Sequence, residues 1–130
     1  MTLMDPISDA LTNMKNSENA TKEFFSFRPA SRLLGEILKI MKTQGYIKEF
    51  ELIDDRREGT FKIILCGKIN ECKAIKPRYA VKKNDFEKFE KRYLPAKNVG
   101  IIIVSTPEGV ITHTEAKNRG LGGRLLAYIY

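Results

Sequence analysis

Near the start of the chain apolar residues recur every three or four positions. Ile7, Leu11 and Met14 form one stripe, and with Asp5 as a cap and Pro6 at the first helical position they predict a helix. The other side of this helix carries Asp9, Thr12, Asn13 and Asn16, short polar groups with few long charged ones among them. Residues 21–27, with Phe24, Phe25 and Phe27, read as a strand that Pro29 breaks. Ser31 can cap a second helix running to about Thr43; Leu34, Ile37, Leu38 and Met41 are its buried stripe, and Gly45 its left-handed stop. Residues 46–53 and 61–66 then alternate in type and predict a hairpin joined through residues 54–59.

Between Gly67 and Cys72 the pattern lapses, and the domain boundary is placed there: residues 1–68 form one domain and residues 69–130 the other. The first reads helix, strand, helix, strand, strand, a set that can pack two helices on one face of a small sheet. In the second, residues 73–81 look strand-like but hold Pro77, which predicts an edge or a bend. Asn84 can cap a short helix in which Phe86, Phe89 and Tyr93 share a side and which Pro95 ends. Residues 99–105 are the most buried-looking strand, a turn at Pro107-Glu108-Gly109 leads to a return strand at 110–112, a short helix at 114–119 stops at Gly120, and residues 125–130 close the sheet. The expected fold class is α/β, an α+β mixture of two small domains, the second a mostly antiparallel β lobe with short helices.

Composition narrows the function classes. The chain of 130 residues is 42% hydrophobic and 30% charged, which excludes a disordered tail or a fibrous repeat. No apolar run approaches the roughly 18 residues that span a bilayer, and the first six residues resemble no secretory leader. The two cysteines, Cys66 and Cys72, are too few for a disulfide scaffold; they read as reduced thiols filling the core of a cytoplasmic protein. The net charge of +7 is unevenly spread. Residues 1–60 hold 9 Lys and Arg against 10 Asp and Glu, a balance of −1, whereas residues 61–130 hold 14 against 6, a balance of +8. A polyanion facing the second half is the expected partner.

The residues with reactive chemistry are few. His113 is the single histidine, and it reads as a partly exposed residue leading into a helix. Ser105 lies eight positions before it, without a nucleophile-elbow motif around it. Two cysteines and one histidine fall short of the four ligands of a zinc site, so neither metal nor cofactor is expected. The run Gly120-Leu121-Gly122-Gly123 has the spacing of neither a dinucleotide fingerprint nor a phosphate loop. These glycines either end a helix and turn into a strand, or let the backbone approach a ligand closely. Ser105, Thr106, Thr112 and Thr114 make a hydroxyl cluster, with Lys117, Arg119 and Arg124 nearby. Small hydroxyls and bare backbone suit the wide, shallow minor groove of duplex RNA, and Lys and Arg suit its flanking phosphates.

The stretch from Val104-Ser105-Thr106-Pro107-Glu108-Gly109-Val110-Ile111-Thr112 through Glu115-Ala116-Lys117 to Gly120-Leu121-Gly122-Gly123 resembles the C-terminal signature of the small-subunit ribosomal protein eight family. The opening Asp5-Pro6-Ile7-Ser8-Asp9-Ala10-Leu11-Thr12, with Asn16, is similar to that family's first helix, and the segments Ser31-Arg32-Leu33 and Gly45-Tyr46-Ile47 resemble its middle. Residues 82–96, with Phe86, Phe89 and Tyr93, are similar to the archaeal and eukaryotic branch. The resemblance implies a two-domain, non-enzymatic protein that is a primary binder of the central domain of small-subunit ribosomal RNA and helps organise the platform. It implies that Ser105, Thr106, Gly122 and Gly123 contact an RNA minor groove, and that the first helix near Thr12, Asn13 and Asn16 is a second RNA-facing surface. Small-subunit proteins five and twelve are the neighbours it implies, and repression of the protein's own messenger through the same surface is the alternative role. Two positions depart from the family pattern. Pro107 stands where many members have a third hydroxyl, and Arg124 stands where many bacterial members have an acid, which implies a phosphate contact there.

Overall fold

The computed structural model describes residues 6–28, 30–54 and 59–130. They form a mixed α/β protein whose chain divides into two compact units, one ending at Asn70 and one running from Glu71 to Tyr130. The boundary expected from sequence falls two residues before that division. The expected caps and breaks at Asp5 and Pro29 lie outside the described residues.

The first unit opens with α1 (Pro6–Asn19), which buries Ile7, Ala10, Leu11, Met14 and Ser17 and exposes Thr12, Asn13 and Asn16. The expected strand at 21–27 is shorter than its sequence suggests: β1 spans Phe24–Phe27. Residues 20–22 instead wind off the helix, with the N–H groups of Ala20 and Lys22 donating to the carbonyls of Asn16 and Ser17 and Thr21 at a positive φ of 54°. In α2 (Arg32–Thr43) the Ser31 hydroxyl accepts from the Leu34 N–H, and Leu34, Ile37, Leu38 and Met41 are buried. The helix ends in a Schellman turn, in which Tyr46 N–H donates to Met41 O, Gly45 N–H donates to Lys42 O, and Gly45 has φ 83°.

Strands β2 (Ile47–Ile53) and β3 (Thr60–Leu65) pair antiparallel, and β1 pairs with the other edge of β3, giving the order β1-β3-β2. Phe25, Phe27, Phe61, Ile63 and Leu65 are buried and share one face of this sheet, which α1 meets at β1 and α2 at β2. Cys66 corrects the expectation of two core thiols. It lies one position past the inward-facing Leu65, so alternation turns it to solvent, where its sulfur sits 3.6 and 3.5 Å from the carbonyls of Gly45 and Tyr46. Cys72 is buried, and both are free thiols.

The second unit contains β4 (Cys72–Ala74), β5 (Ala80–Val81), α3 (Phe86–Tyr93), β6 (Ile101–Thr106), β7 (Gly109–Thr112), α4 (His113–Arg119) and β8 (Gly123–Ile129). The sheet runs β4-β8-β6-β7, every pairing is antiparallel, and β5 pairs with the first residues of β8. Pro77 lies in the bend between β4 and β5. Helices α3 and α4 cover one face of this sheet, packing Phe86, Phe89 and Ala116 against Ile102, Val104 and Leu125.

Four expectations are corrected here. The residue before α3 is Asp85, not Asn84, and it makes no side-chain cap; its N–H instead donates to the Lys82 carbonyl in a turn. Val99 is 46% exposed and lies outside β6, because residues 96–99 fold into a tight turn with Asn98 at φ 65°. The last strand starts at Gly123, two residues earlier than expected. His113 is buried, not partly exposed.

The burial of His113 has a structural cause. Strand β7 ends at Thr112, opposite Ile103, and the imidazole takes the next rung: its Nδ1 accepts the Ile102 N–H at 3.0 Å. The ring proton is therefore on Nε2, which lies 3.2 Å from Glu90 Oε1 of α3. Burial holds the ring's pKa below the ordinary histidine value; the Glu90 carboxylate pulls it back up, and the Lys117 ammonium pushes it down again.

The folded state thus resists a proton that the unfolded chain accepts near pH ~6.5, so stability is whole above that pH and is lost as pH falls toward the depressed native value. The melting temperature should drop on acidification through this window, and His113→Leu should remove that slope. By stranding the buried Ile102 N–H the same variant should cost about 1–3 kcal/mol at neutral pH. Urea melts of both proteins across the pH range check this, and an unchanged acid slope in the variant contradicts it.

Candidate nucleic-acid interface

The sequence candidates of the second unit converge on one end of its sheet. Register puts Ala80, Arg124, Ser105 and Val110 in a single row across β5, β8, β6 and β7. Ser105 alternates with Ile102 and Val104, so it faces away from α3 and α4. Arg124 shares that face because β8 carries a bulge. Ile103 pairs with Ala127 and Val104 with Leu125, leaving Leu126 as the extra residue. Without it, Arg124 would point to the helix-covered side.

The hydroxyls divide into distinct roles. Thr106 donates to the Gly109 carbonyl at 2.8 Å and accepts from the Glu108 N–H at 3.2 Å, closing the two-residue turn at Pro107-Glu108. Thr112 is buried and caps α4, accepting from the Glu115 N–H at 3.2 Å. Thr114 is exposed. Ser105 is half-buried, and among the described residues its hydroxyl has no hydrogen-bond partner. It is the one member of the hydroxyl cluster on the Arg124 row with both donor and acceptor capacity to spare.

Gly122 and Gly123 are required by the protein itself. A Cβ on Gly122 would fall 2.6 Å from the Val81 carbonyl oxygen and 3.2 Å from Lys82 Cα, and one on Gly123 would overlap the Ser105 carbonyl. The close backbone approach expected of these glycines is made to β5 and β6. It places Lys82 and Lys83, both exposed, directly beside Gly122. Sequence reading passed over these two lysines; their charge was legible, but their position depends on the β5–β8 pairing.

The three cations singled out from sequence differ in their surroundings. Lys117 Nζ lies 2.8 Å from Glu90 Oε1, and Arg119 pairs with Glu115 one helical turn away. Both belong to α4, so they lie on the opposite side of the sheet from Ser105 and Arg124. Exposed pairs of this kind contribute about 0–1 kcal/mol, so a phosphate can compete for either cation. Arg124 is exposed, and among the described residues its guanidinium reaches only the Arg78 carbonyl, at 3.4 Å. In the first unit, Thr12, Asn13 and Asn16 line the solvent side of α1.

The arrangement offers little for bond-breaking chemistry. Both nitrogens of His113 are engaged away from Ser105, so the two form no nucleophile–base pair. No group of three or more His, Cys, Asp or Glu residues among those described could hold a metal ion. No helix among the described residues is long and apolar enough to cross a membrane. A family model described as Ribosomal protein S8 matches residues 5–130, nearly the whole chain. The chain belongs to that family. Membership in the Ribosomal protein S8 family makes it a structural constituent of the small ribosomal subunit that binds ribosomal RNA and takes part in translation. The family is a structural, non-enzymatic one.

If packing sets the glycine requirement, Gly123→Ala should destabilise the fold before it affects any ligand. Overpacking against a strand backbone that cannot retreat should cost at least about 2 kcal/mol. A denaturant melt reads this directly; a loss below about 0.5 kcal/mol, within the range of ordinary surface substitutions, contradicts it.

Proposed function

We propose that this protein is a primary binder of the central domain of small-subunit ribosomal RNA, in the cytoplasm, and that it helps organise the subunit platform beside small-subunit proteins five and twelve. The observation carrying this reading is the Ala80–Arg124–Ser105–Val110 row, which sets an exposed guanidinium next to a hydroxyl that has no partner among the described residues, at the rim of a sheet. An RNA minor groove offers the matching chemistry: 2′-hydroxyls and base edges that exchange hydrogen bonds with Ser105, and a phosphate within reach of Arg124. Thr106 shapes the turn beside this row and keeps one acceptor lone pair for the RNA. Gly122 and Gly123 bring β8 against β5 and β6, so that Lys82 and Lys83 extend the cationic rim. Lys117 and Arg119 act as a peripheral phosphate contact once their carboxylate partners are displaced. Thr12, Asn13 and Asn16 supply a second, neutral surface.

The three most informative substitutions separate by what they change. Ser105→Ala should leave the melting temperature in place and lower affinity for the cognate stem by about 1–3 kcal/mol, with little effect on an unrelated duplex. Thr106→Ala should lower the melting temperature, because the turn loses both of its hydroxyl bonds. Arg124→Gln should weaken the cognate stem and an unrelated duplex alike and lower the salt slope for both by about 1. Affinity titrations at several salt concentrations, with melts of the same samples, resolve all three. Equal losses on cognate and unrelated RNA for Ser105→Ala would sink the specificity assignment.

A further inference from the structure

The sheet end with Ser105 and Arg124 is not the only surface of the second unit suited to RNA. On the face covered by α3, five aromatic rings run in a ladder: Tyr79, Phe89, Tyr93, Tyr128 and Tyr130. Successive centroids are 5.5, 6.5, 5.2 and 6.2 Å apart, with interplanar angles of 37, 7, 26 and 16°. Nearly parallel rings in full face-to-face contact stand about 3.5–4 Å apart. The three pairs from Phe89 to Tyr130 are stacked at separations wider than that contact, and the Tyr79–Phe89 pair is tilted. All four tyrosines of the ladder are half-buried and pack against the core cluster at its solvent boundary.

Cations stand over the same rings. The Arg92 guanidinium lies 5.3 Å from the Tyr79 centroid and 5.4 Å from that of Tyr93. Lys88 Nζ is 5.8 Å from Phe89, and Lys73 is the direct cross-strand partner of Tyr128. The Glu90 carboxylate of α3 is occupied by Lys117 and His113. A ladder of aromatic rings interleaved with guanidinium and ammonium groups matches the chemistry of an unpaired polynucleotide, whose bases stack and whose phosphates need neutralising. The sequence hid this surface, because its rings come from three separate segments and meet only when α3 lies across β8.

We propose that this aromatic face binds unpaired nucleotides of RNA, as a second site distinct from the row containing Ser105 and Arg124. The inference rests on RNA being the ligand of this protein but not on how the Ser105 row engages its stem.

The test uses the full chain and two labelled RNA probes, an unstructured oligouridylate of about ten nucleotides and a blunt duplex of equal length, each followed by anisotropy. The chain has five tyrosines and no tryptophan, so quenching of tyrosine emission by the unlabelled oligouridylate reports ring–base contact directly. Tyr128→Leu and the exposed Arg92→Gln should each weaken oligouridylate binding at least about fivefold, the low end of what stacking on one aromatic ring contributes, and leave duplex affinity unchanged. Arg124→Gln should do the reverse. Arg92→Gln keeps the test decisive if Tyr128→Leu perturbs the fold. Unchanged oligouridylate affinity in Arg92→Gln and in a folded Tyr128→Leu overturns the proposal. So does an acidic peptide that displaces the oligouridylate at equal charge concentration, which would mark a general anion surface. Loss of duplex binding in Arg124→Gln with oligouridylate binding intact supports both sites. Failure of the duplex arm alone counts against the Ser105 row and leaves the aromatic site standing.

Discussion

A single extra residue in β8 determines what the second unit presents to its surroundings. Leu126 interrupts the pairing of β8 with β6, so that Tyr128 and Leu125 both face the helices while Arg124 turns to the other side beside Ser105. A strand without that bulge would turn the Arg124 guanidinium toward the side of the sheet covered by α3 and α4, away from Ser105. The bulge works only because β8 is the strand that β4, β5 and β6 all share, and because Gly122 and Gly123 let its first residues come against β5 and β6. The position of the cation, the exposure of the hydroxyl and the stacking of the tyrosines all follow from this register.

The same sheet separates two kinds of contact with a polyanion. On one side lie neutral and cationic groups with unused hydrogen-bonding capacity, held by strands and a closed turn. On the other, Lys117 and Arg119 carry carboxylate partners, and Glu90 ties Lys117 to the buried His113. The first arrangement is suited to reading shape and the second to adding long-range attraction that salt screens. Rigidity favours the first: the Ser105 row belongs to a ladder whose neighbouring rungs, Ile103 and Val104, are fully buried.

Much of this was legible in the amino-acid order. The stripes of α1 and α2, the Ser31 cap and the Gly45 stop each rest on contacts between residues close in the chain, which periodicity reports well. The lost features depend on partners far away in sequence. Cys66 was read as core because a thiol in a β-rich stretch usually is, yet alternation after Leu65 sends it outward. His113 was read as half-exposed because nothing local shows that β6 has a vacant rung at Ile102. The C-terminal signature singled out Ser105, Thr106, Gly122 and Gly123, but could not show that Thr106 is committed to its own turn or that the glycines pack on β5 and β6. The bulge at Leu126 leaves no trace in hydropathy, and Lys82, Lys83 and the tyrosine ladder stayed hidden with it.

The central claim is that a rigid hydroxyl-and-guanidinium rim on the second unit recognises one duplex element of small-subunit RNA through its minor groove. Hydroxyl-radical footprinting of naked, full-length small-subunit RNA with the intact protein tests it most directly, because the radical attacks the sugars that line that groove. The account predicts one protected stem, within the central domain, with the protections offset across the two strands as a minor groove requires. Protections scattered over several domains, or confined to unpaired loops with every stem left open to the radical, would contradict it.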